Sequence, residues 1–270
     1  MILEGQSQKR AQKKSKKILH VEKIYKRFGG VLALQDVSLS LASGTITALV
    51  GGNAAGKSTL IKIISGSITP DSGYIQVFGK RYKNMTIKLA KDIGIQTIYQ
   101  DLALCDNLDV LDNLFLGNEV IGNNPIDRGL GIIDRKKMSS SAAEIFSKLV
   151  IDVPDFSAET GRLSGGQRQA IALGRIFCNS TRIILMDEPT AALGLSAKKR
   201  FQKIVKDLLS QGLAFLYVSH DIHEVYDIAD YIAILFRGKL IQFGKTSEYP
   251  KSEVTKLLVL GPDKNDSMRF

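Results

Sequence analysis

One nine-residue segment constrains the fold of this 270-residue chain more than any other feature. Residues 51–59 read GGNAAGKST and satisfy the pattern G-x-x-x-x-G-K-[ST]. An apolar run, Thr45–Val50, precedes the segment, and a helical pattern, Lys57–Ile64, follows it. A strand, a glycine-rich turn and a helix in this order aim successive backbone N–H groups and the positive end of the helix at one place, which suits a phosphate group. The sequence therefore predicts a phosphate loop at the carboxyl end of a buried strand.

The residues of this loop have defined chemical roles if the phosphates belong to a nucleotide. The Lys57 ammonium then reaches the β- and γ-phosphates, and the Ser58 hydroxyl binds Mg²⁺. A glycine turn without a ligand is the alternative, which the flanking strand and helix disfavour. The loop residues predicted to bind the nucleotide are Gly51, Gly52, Asn53, Ala54, Ala55, Gly56, Lys57, Ser58 and Thr59.

Strand-like and helical patterns alternate through the rest of the chain. The strand-like runs are Ile18–Ile24, Val37–Leu41, Thr45–Val50, Tyr74–Phe78, Ile95–Tyr99, Arg182–Met186, Ala214–Val218 and Tyr231–Phe236. The helical patterns are Lys57–Ile64, Ile87–Lys91, Val110–Leu116, Arg135–Leu149, Gly166–Cys178, Ala197–Gln211 and Ser252–Leu260. This alternation predicts an α/β fold, a largely parallel sheet with helices on its faces. Residues 101–162 lack convincing strands and carry two loop-rich segments, Gly117–Gly131 and Ile151–Gly161, so we expect a helical insertion there.

Two acidic residues follow a second apolar strand. The run Arg182–Met186 contains four consecutive apolar residues, which suits a central strand buried on both faces. Asp187 and Glu188 then lie at the carboxyl end of that strand, the ligand-binding edge of an open α/β sheet. Asp187 is placed to hold Mg²⁺ through water, and Glu188 to polarise the attacking water. Two solvated loop acids are the alternative, which so apolar a strand disfavours.

A second anion-binding pattern opens a helix. Residues 163–169 read LSGGQRQ, in which Ser164 can cap the helix and small residues follow. A helix N-terminus attracts anions, so the chain carries two phosphate cradles. One nucleotide bound by one chain does not need both, whereas two chains packed head to tail would each close over the nucleotide of the other. The residues predicted to reach that nucleotide are Ser164, Gly165, Gly166 and Gln167.

These motifs resemble those of the ATP-binding cassette (ABC) ATPases over residues 18–245. The LSGGQRQ segment looks like the signature of that family, and the other family motifs follow in order. The resemblance implies ATP as the nucleotide, with Phe28 stacking on adenine and Tyr25 as the reserve candidate. It also implies that Gln100 senses Mg²⁺ and water and that His220 contacts the γ-phosphate. The implied catalytic residues are Lys57, Gln100, Glu188 and His220, and the implied metal-binding residues are Ser58, Gln100 and Asp187.

Two residues depart from the family pattern. Ala54 stands where the family usually has glycine, and it is harmless there only if its backbone keeps a negative φ. Gly194 stands where many members carry an aspartate. That replacement bears on how the two ATP sites of a dimer communicate and leaves ATP binding itself untouched.

The resemblance also divides the chain. Residues 18–270 are expected to form one ABC ATPase domain with an N-terminal antiparallel β portion. Within it, residues 18–100 and 175–270 make the nucleotide-binding core, and residues 101–174 make the helical signature subdomain. Residues 1–17 hold six basic residues and one acidic residue, which is half of the formal net charge of +10. We expect these residues to be a disordered tail.

Finer sequence features resemble the monosaccharide importers of the ribose, fructose and xylose type. The segments concerned are Phe28–Leu34, Tyr99–Leu104, Asn113–Gly117 and Ala191–Gly194. The resemblance implies an ATP-hydrolysing subunit that pairs with a second copy of itself and drives an integral membrane permease, and through it a sugar-binding protein. An ABC ATPase of a non-sugar transporter is the alternative. A nucleic-acid-associated ABC ATPase is favoured only by the basic tail, and we expect no nucleic-acid partner.

Three features of the sequence bear on its compartment. Its apolar runs are shorter than the roughly 18 residues that a membrane-spanning helix needs, and the N-terminal residues lack the apolar region of a signal peptide. Two isolated cysteines, Cys105 and Cys178, suit a reducing compartment. We therefore expect a cytoplasmic protein that lies on the inner face of the cell membrane.

Overall fold

The computed structural model describes residues 16–99, 101–149, 155–178, 180–191 and 194–262. Its strands are β1 (Lys17–Phe28), β2 (Val31–Ala42), β3 (Ile46–Val50), β4 (Ser72–Val77), β5 (Lys80–Tyr82), β6 (Ile95–Ile98), β7 (Ile183–Asp187), β8 (Ala214–Val218), β9 (Tyr231–Phe236) and β10 (Lys239–Lys245). Its α-helices are α1 (Lys57–Ile64), α2 (Ile87–Asp92), α3 (Val110–Phe115), α4 (Pro125–Leu130), α5 (Arg135–Leu149), α6 (Gly165–Phe177), α7 (Leu195–Ser210), α8 (Ile222–Ile228) and α9 (Lys251–Leu260).

A six-stranded sheet forms the centre of the fold, in the order β10-β9-β3-β8-β7-β6. The strands from β9 to β6 are parallel, and β10 runs antiparallel to β9 at one edge. Val218 of β8 pairs with Leu49 of β3 on one side and with Asp187 of β7 on the other. The carboxyl ends of β3, β8 and β7 therefore meet at one edge of the sheet, and the chain that follows each strand begins there.

Both faces of this sheet are buried, as the apolar strands predict. On one face, Leu60 and Ile63 of α1 pack against Leu185 and against the antiparallel sheet. On the other face, α3, α5, α6 and α7 cover the alternate strand residues, among them Ile184 and Phe215. Burying one such aliphatic or aromatic side chain contributes about 1.5–3 kcal/mol to folding. The predicted α/β fold with a mostly parallel sheet is confirmed.

The N-terminal strands form a separate antiparallel sheet in the order β2-β1-β4-β5. Both β1 and β2 are longer than the runs predicted, Ile18–Ile24 and Val37–Leu41. Their added residues include Lys26 and Arg27, which lack apolar alternation but are held by cross-strand hydrogen bonds to β2. Because β1 continues beyond its hydrophobic residues, Phe28 is the last residue of the strand and lies beside the turn into β2.

The chain between β6 and β7 is helical, as expected, and its described residues contain no strand of the two sheets. The predicted loop Gly117–Gly131 contains α4, which the periodicity did not indicate because none of its residues is buried. Its capping signals were present in the sequence. Asn124 caps the helix through the Asp127 N–H, Pro125 is its first residue, and Gly131 ends it at φ 68°.

The structure revises two of the expected domain limits. Lys16 accepts a hydrogen bond from the Ser43 N–H, and Lys17 begins β1, so these two residues belong to the fold and not to the tail. Residues 1–15 lie outside the described part of the chain. The limit expected between residues 174 and 175 falls inside α6, which continues unbroken from the insertion to Phe177. In the described ranges, no helix has the length and apolar character needed to cross a membrane.

Candidate nucleotide-binding site

The predicted phosphate loop connects β3 to α1 at the edge of the central sheet. Gly56 is the N-cap of α1, and its φ of 106° is one that an L side chain rarely adopts. A β-carbon on Gly56 would lie 2.6 Å from the Ala33 carbonyl oxygen, and one on Gly51 would collide with the Leu235 carbonyl oxygen. These two glycines are therefore required by the fold of the loop itself.

Lys57 folds back into the loop. Its buried Nζ donates to the carbonyl oxygens of Gly51 at 2.9 Å and Gly52 at 3.0 Å. Burial lowers the pKa of Lys57, and the nearby carboxylates of Glu188 and Asp187 act in the opposite direction. The ammonium is thus held inside the loop, and this arrangement suits a polyphosphate.

Ala54 does not keep the negative φ that would make an alanine harmless at this position. Its φ is 59°, in the left-handed region, so its backbone does not avoid the conformation for which the family uses glycine. An alanine in this region costs about 1–2 kcal/mol relative to its usual conformations. The loop therefore keeps the glycine geometry and carries strain at this position, as functional loops often do.

Asp187 ends β7 beside the start of α1. The Ser58 hydroxyl lies close enough to lower the pKa of the Asp187 carboxylate by hydrogen bonding, and Lys57 and Lys62 lie close enough to act on its charge. Burial nevertheless raises the pKa of Asp187, with a smaller contribution from Glu188. A hydroxyl and a carboxylate in contact are the oxygen ligands that Mg²⁺ prefers. These two predicted metal-binding residues are thus brought together.

Glu188 and His220 also meet, although they follow different strands. His220 Nδ1 lies 3.2 Å from Glu188 Oε1. The Glu188 N–H donates to the Val218 carbonyl oxygen at 3.0 Å, which ties the end of β7 to the end of β8. Glu188 has a φ of 50°, a conformation that is uncommon for a non-glycine residue. Sequence reasoning identified both residues but gave no signal for this backbone conformation.

The signature segment forms the predicted cap of α6. The Ser164 hydroxyl accepts the Gln167 N–H, and the Gln167 side chain accepts the Ser164 N–H at 3.0 Å, which is a complete capping box. Gly165 and Gly166 face open space, since a β-carbon on either would have no atom within 4 Å. In the described residues, no hydrogen bond or ion pair joins this cap to the phosphate loop of the same chain.

Phe28 and Gln100 are the remaining residues of the predicted site. Phe28 is 46% exposed, and the Lys26 Nζ lies 5.4 Å from the centre of its ring. An exposed aromatic face at the end of a strand suits stacking on a planar base. Tyr25, the reserve candidate, is half-buried within β1. Gln100 lies outside the described residues.

The fold and the site together define the class of this protein: an α/β nucleotide-binding protein with a phosphate loop, an acidic end of a central strand and a capped helix N-terminus. The profile of the family described as "ABC transporter" matches residues 34–191, which is more than half of the chain. This chain therefore belongs to the ABC transporter family, and it is an ATPase of that family.

The chain is similar to sugar-import proteins of the same family. It is 40% identical to the xylose/arabinose import ATP-binding protein XylG of Sulfolobus acidocaldarius over 89% of this chain and 93% of that protein. It is 35% identical to the fructose import ATP-binding protein FrcA of Rhizobium meliloti, with the same two coverages. Among solved structures, a nucleotide-free ATP-binding cassette from an ABC transporter matches with a TM-score of 0.76 at 28% identity, over 89% of this chain and 96% of that chain.

Proposed function

We propose that this chain is the ATP-hydrolysing subunit of a monosaccharide importer and that it couples ATP-driven pairing of two copies to uptake through a membrane permease. One observation carries the catalytic part of the proposal. The Glu188 carboxylate is held against His220 at the same sheet edge as the phosphate loop and Asp187. The assignment of a sugar as cargo is supported by the relatives named for xylose, arabinose and fructose import.

We propose a task for each residue of the site. Phe28 stacks on adenine, and the loop N–H groups with Lys57 hold the phosphates. Ser58 and Asp187 would hold Mg²⁺, which supplies charge neutralisation on the phosphates, and we propose Gln100 as a further contact to this ion and the water. Glu188 orients and polarises the attacking water, and His220 acts on the γ-phosphate. Phosphoryl transfer depends mostly on such positioning and electrostatics, so each part should be costly to remove.

A second copy completes the site in this proposal. Ser164 and Gly166 lie on an exposed helix N-terminus, and no atom of the described residues would lie within 4 Å of a β-carbon on Gly166. Head-to-tail pairing would place this cap over the nucleotide of the partner. Such a cap favours anions through both its free N–H groups and the helix dipole.

A groove beside the helical insertion suits the permease. Its volume is about 210 Å³, and it lies between α2, β6 and the end of α3. Ile87 and Leu116 present exposed apolar surface at this groove, and Tyr99 lines it. Because Tyr99 directly precedes Gln100, a permease segment bound there would act on the chain that leads to the metal site. A peripheral position on the inner face of the cell membrane follows from this contact.

The catalytic assignment is tested with Glu188→Gln. This variant removes the carboxylate charge but leaves the phosphate loop intact, so we expect unchanged ATP binding and a fall in turnover of about 100-fold or more. The measurements are equilibrium ATP binding and steady-state phosphate release. Lys57→Ala serves as the binding-defective control, and Glu253→Gln, on the exposed first turn of α9, as the neutral one. Turnover like that of the unmodified protein in Glu188→Gln would refute the assignment.

The cargo is tested in the assembled complex. The chain is purified from its native membrane together with the integral partner, and the partner is identified by mass spectrometry. The ATPase activity of the reconstituted complex is then measured with xylose, arabinose, fructose and ribose. Each sugar is added together with the external sugar-binding protein that binds it. Stimulation by one of these sugars supports the proposal, and stimulation only by a non-sugar solute favours another transporter class.

A further inference from the structure

Glu224 is a buried acidic residue to which the proposed mechanism gives no role. It lies in the first turn of α8 and is only 5% exposed. In the described part of the chain, its carboxylate has no ion pair with a lysine, arginine or histidine. A buried carboxylate without a cation must be stabilised by hydrogen bonds, because its loss of hydration is costly. The hydrogen-bond donors around Glu224 therefore indicate the role of this carboxylate in the fold.

The partners are hydroxyl groups from two different segments. The Thr190 hydroxyl donates to the carboxylate and lies 2.7 Å from Oε1 and 2.9 Å from Oε2. The Ser219 hydroxyl donates to Oε2 at 3.2 Å and itself accepts the Asp221 N–H at 3.1 Å. Tyr217 completes the cluster, with its hydroxyl 3.3 Å from the Thr190 hydroxyl oxygen. Burial raises the pKa of Tyr217, so this hydroxyl stays protonated and can donate.

These two segments carry the two residues that meet at the reaction centre. Thr190 lies two residues after Glu188, and Ser219 lies immediately before His220. One buried carboxylate thus ties together the chain after β7 and the chain after β8. Glu188 needs such a restraint, because its backbone is held at a positive φ that a free loop would relax.

We propose that Glu224 is a positioning residue for ATP hydrolysis, which holds the Thr190 and Ser219 segments together and so fixes the Glu188 carboxylate against His220. A carboxylate suits this task because both of its oxygens accept hydrogen bonds, one towards each segment. The amide of glutamine puts an NH₂ donor in place of one of these acceptor oxygens, so the two hydroxyls can no longer donate to opposite oxygens of one charged group. This inference rests on the proposed catalytic function of Glu188 and His220.

The test combines two conservative variants, Glu224→Gln and Thr190→Val. Both keep the side-chain volume: Glu224→Gln removes the charge and one acceptor oxygen, and Thr190→Val removes the hydroxyl that donates to Glu224. We expect KM and ATP affinity to stay within about twofold of the unmodified protein and kcat to fall about tenfold, since a small misplacement of the reacting groups is costly. Thr190→Val keeps the test informative if Glu224→Gln folds poorly. Glu119→Gln, an exposed residue of the insertion, is the matched control.

A double-mutant cycle separates positioning from general stability. If Glu224 acts through His220, Glu224→Gln should cost less than about twofold in kcat when His220 is already alanine. An equal loss in both backgrounds, a rise in KM that accounts for the loss, or unchanged kcat in both variants would overturn the inference. The two proposals fail differently. If Glu188→Gln is inactive while Glu224→Gln turns over normally, only the positioning role is wrong, whereas full turnover in Glu188→Gln refutes the catalytic function and the positioning role together.

Discussion

At the scale of single residues, the charges of Lys57 and Asp187 in the phosphate site are only partly compensated by their surroundings. Burial lowers the pKa of Lys57 and raises the pKa of Asp187, so both charges are disfavoured by their surroundings. The hydrogen bonds from Lys57 to two carbonyl oxygens, and the effect of the neighbouring Ser58 hydroxyl on Asp187, offset only part of this cost. A polyphosphate beside Lys57 and a cation beside Asp187 would supply the missing opposite charges. The site is therefore organised for its ligand before the ligand arrives.

Asp187→Asn is expected to stabilise the nucleotide-free protein at pH 7. The folded protein raises the pKa of Asp187 above its ordinary value of 3.8, so ionisation at neutral pH costs the folded state free energy that the unfolded chain does not lose. Below pH 3.8 the carboxyl is protonated in both states and the cost vanishes. The gain in Tm should thus be full at pH 7 and shrink as the pH falls towards 4.

The same variant should lose function while it gains stability. Without the carboxylate charge to hold the metal, we expect ATPase activity to fall about 100-fold. Thermal unfolding across the pH range, with and without ATP and Mg²⁺, measures the first effect, and phosphate release measures the second. Asp207→Asn on α7 serves as the control. A Tm below that of the unmodified protein at pH 7 would contradict the burial argument.

At the scale of elements, α3 and α6 hold the chain that follows residue 100. Asn113 of α3 is fully buried. Its side-chain oxygen accepts a hydrogen bond from the Cys105 N–H at 2.9 Å, and its side-chain NH₂ donates to the Cys105 carbonyl oxygen at 2.8 Å. Arg175 of α6 donates to the carbonyl oxygens of Asn113 and Ala103, both at 2.8 Å. The segment between the sheet and the helical insertion is thus shaped by side chains of two helices.

Asn113→Ala should be strongly destabilising for a single substitution. It leaves the Cys105 N–H and carbonyl and the Thr160 hydroxyl without their buried partner, which we expect to cost about 2–4 kcal/mol. Urea unfolding measures the change as a lower midpoint. Asn124→Ala is the matched control, because Asn124 caps α4, a helix without buried residues, and its loss should cost about 1 kcal/mol or less. Equal effects of the two variants would show that the Asn113 cluster contributes little.

At the scale of the whole molecule, one chain presents two surfaces that we propose bind anions. The phosphate loop opens at the edge of the central sheet, and the cap of α6 is exposed on the helical insertion. No side chain of the described residues covers Gly166 within 4 Å of where a β-carbon would stand. The surface there can accept a substitution without disturbing its own chain, which makes the pairing of two copies directly testable.

Gly166→Asp should abolish ATP-dependent pairing without harming the fold. An aspartate in the first turn of α6 complements the helix dipole, so the Tm should be unchanged or slightly higher. The same charge would face the phosphates of the partner's nucleotide and repel them. The substitution is made in the Glu188→Gln background, and the molar mass is measured by light scattering with and without ATP. Gly129→Asp, at another open glycine, is the control, and a Gly166→Asp dimer as stable as the control would refute the head-to-tail arrangement.

The sequence alone determined the parts of this protein whose signals are local. The phosphate loop, the acidic end of β7, the cap of α6 and most central strands and helices follow from side-chain periodicity, glycine positions and capping patterns, all of which act over a few residues. Only the tertiary structure decided the contacts between segments distant in the chain. The 3.2 Å approach of His220 to Glu188 and the bridge that Glu224 makes between Thr190 and Ser219 are such contacts. They depend on the parallel pairing that sets β3, β8 and β7 side by side, and pairing of that kind has no short-range signature in the chain.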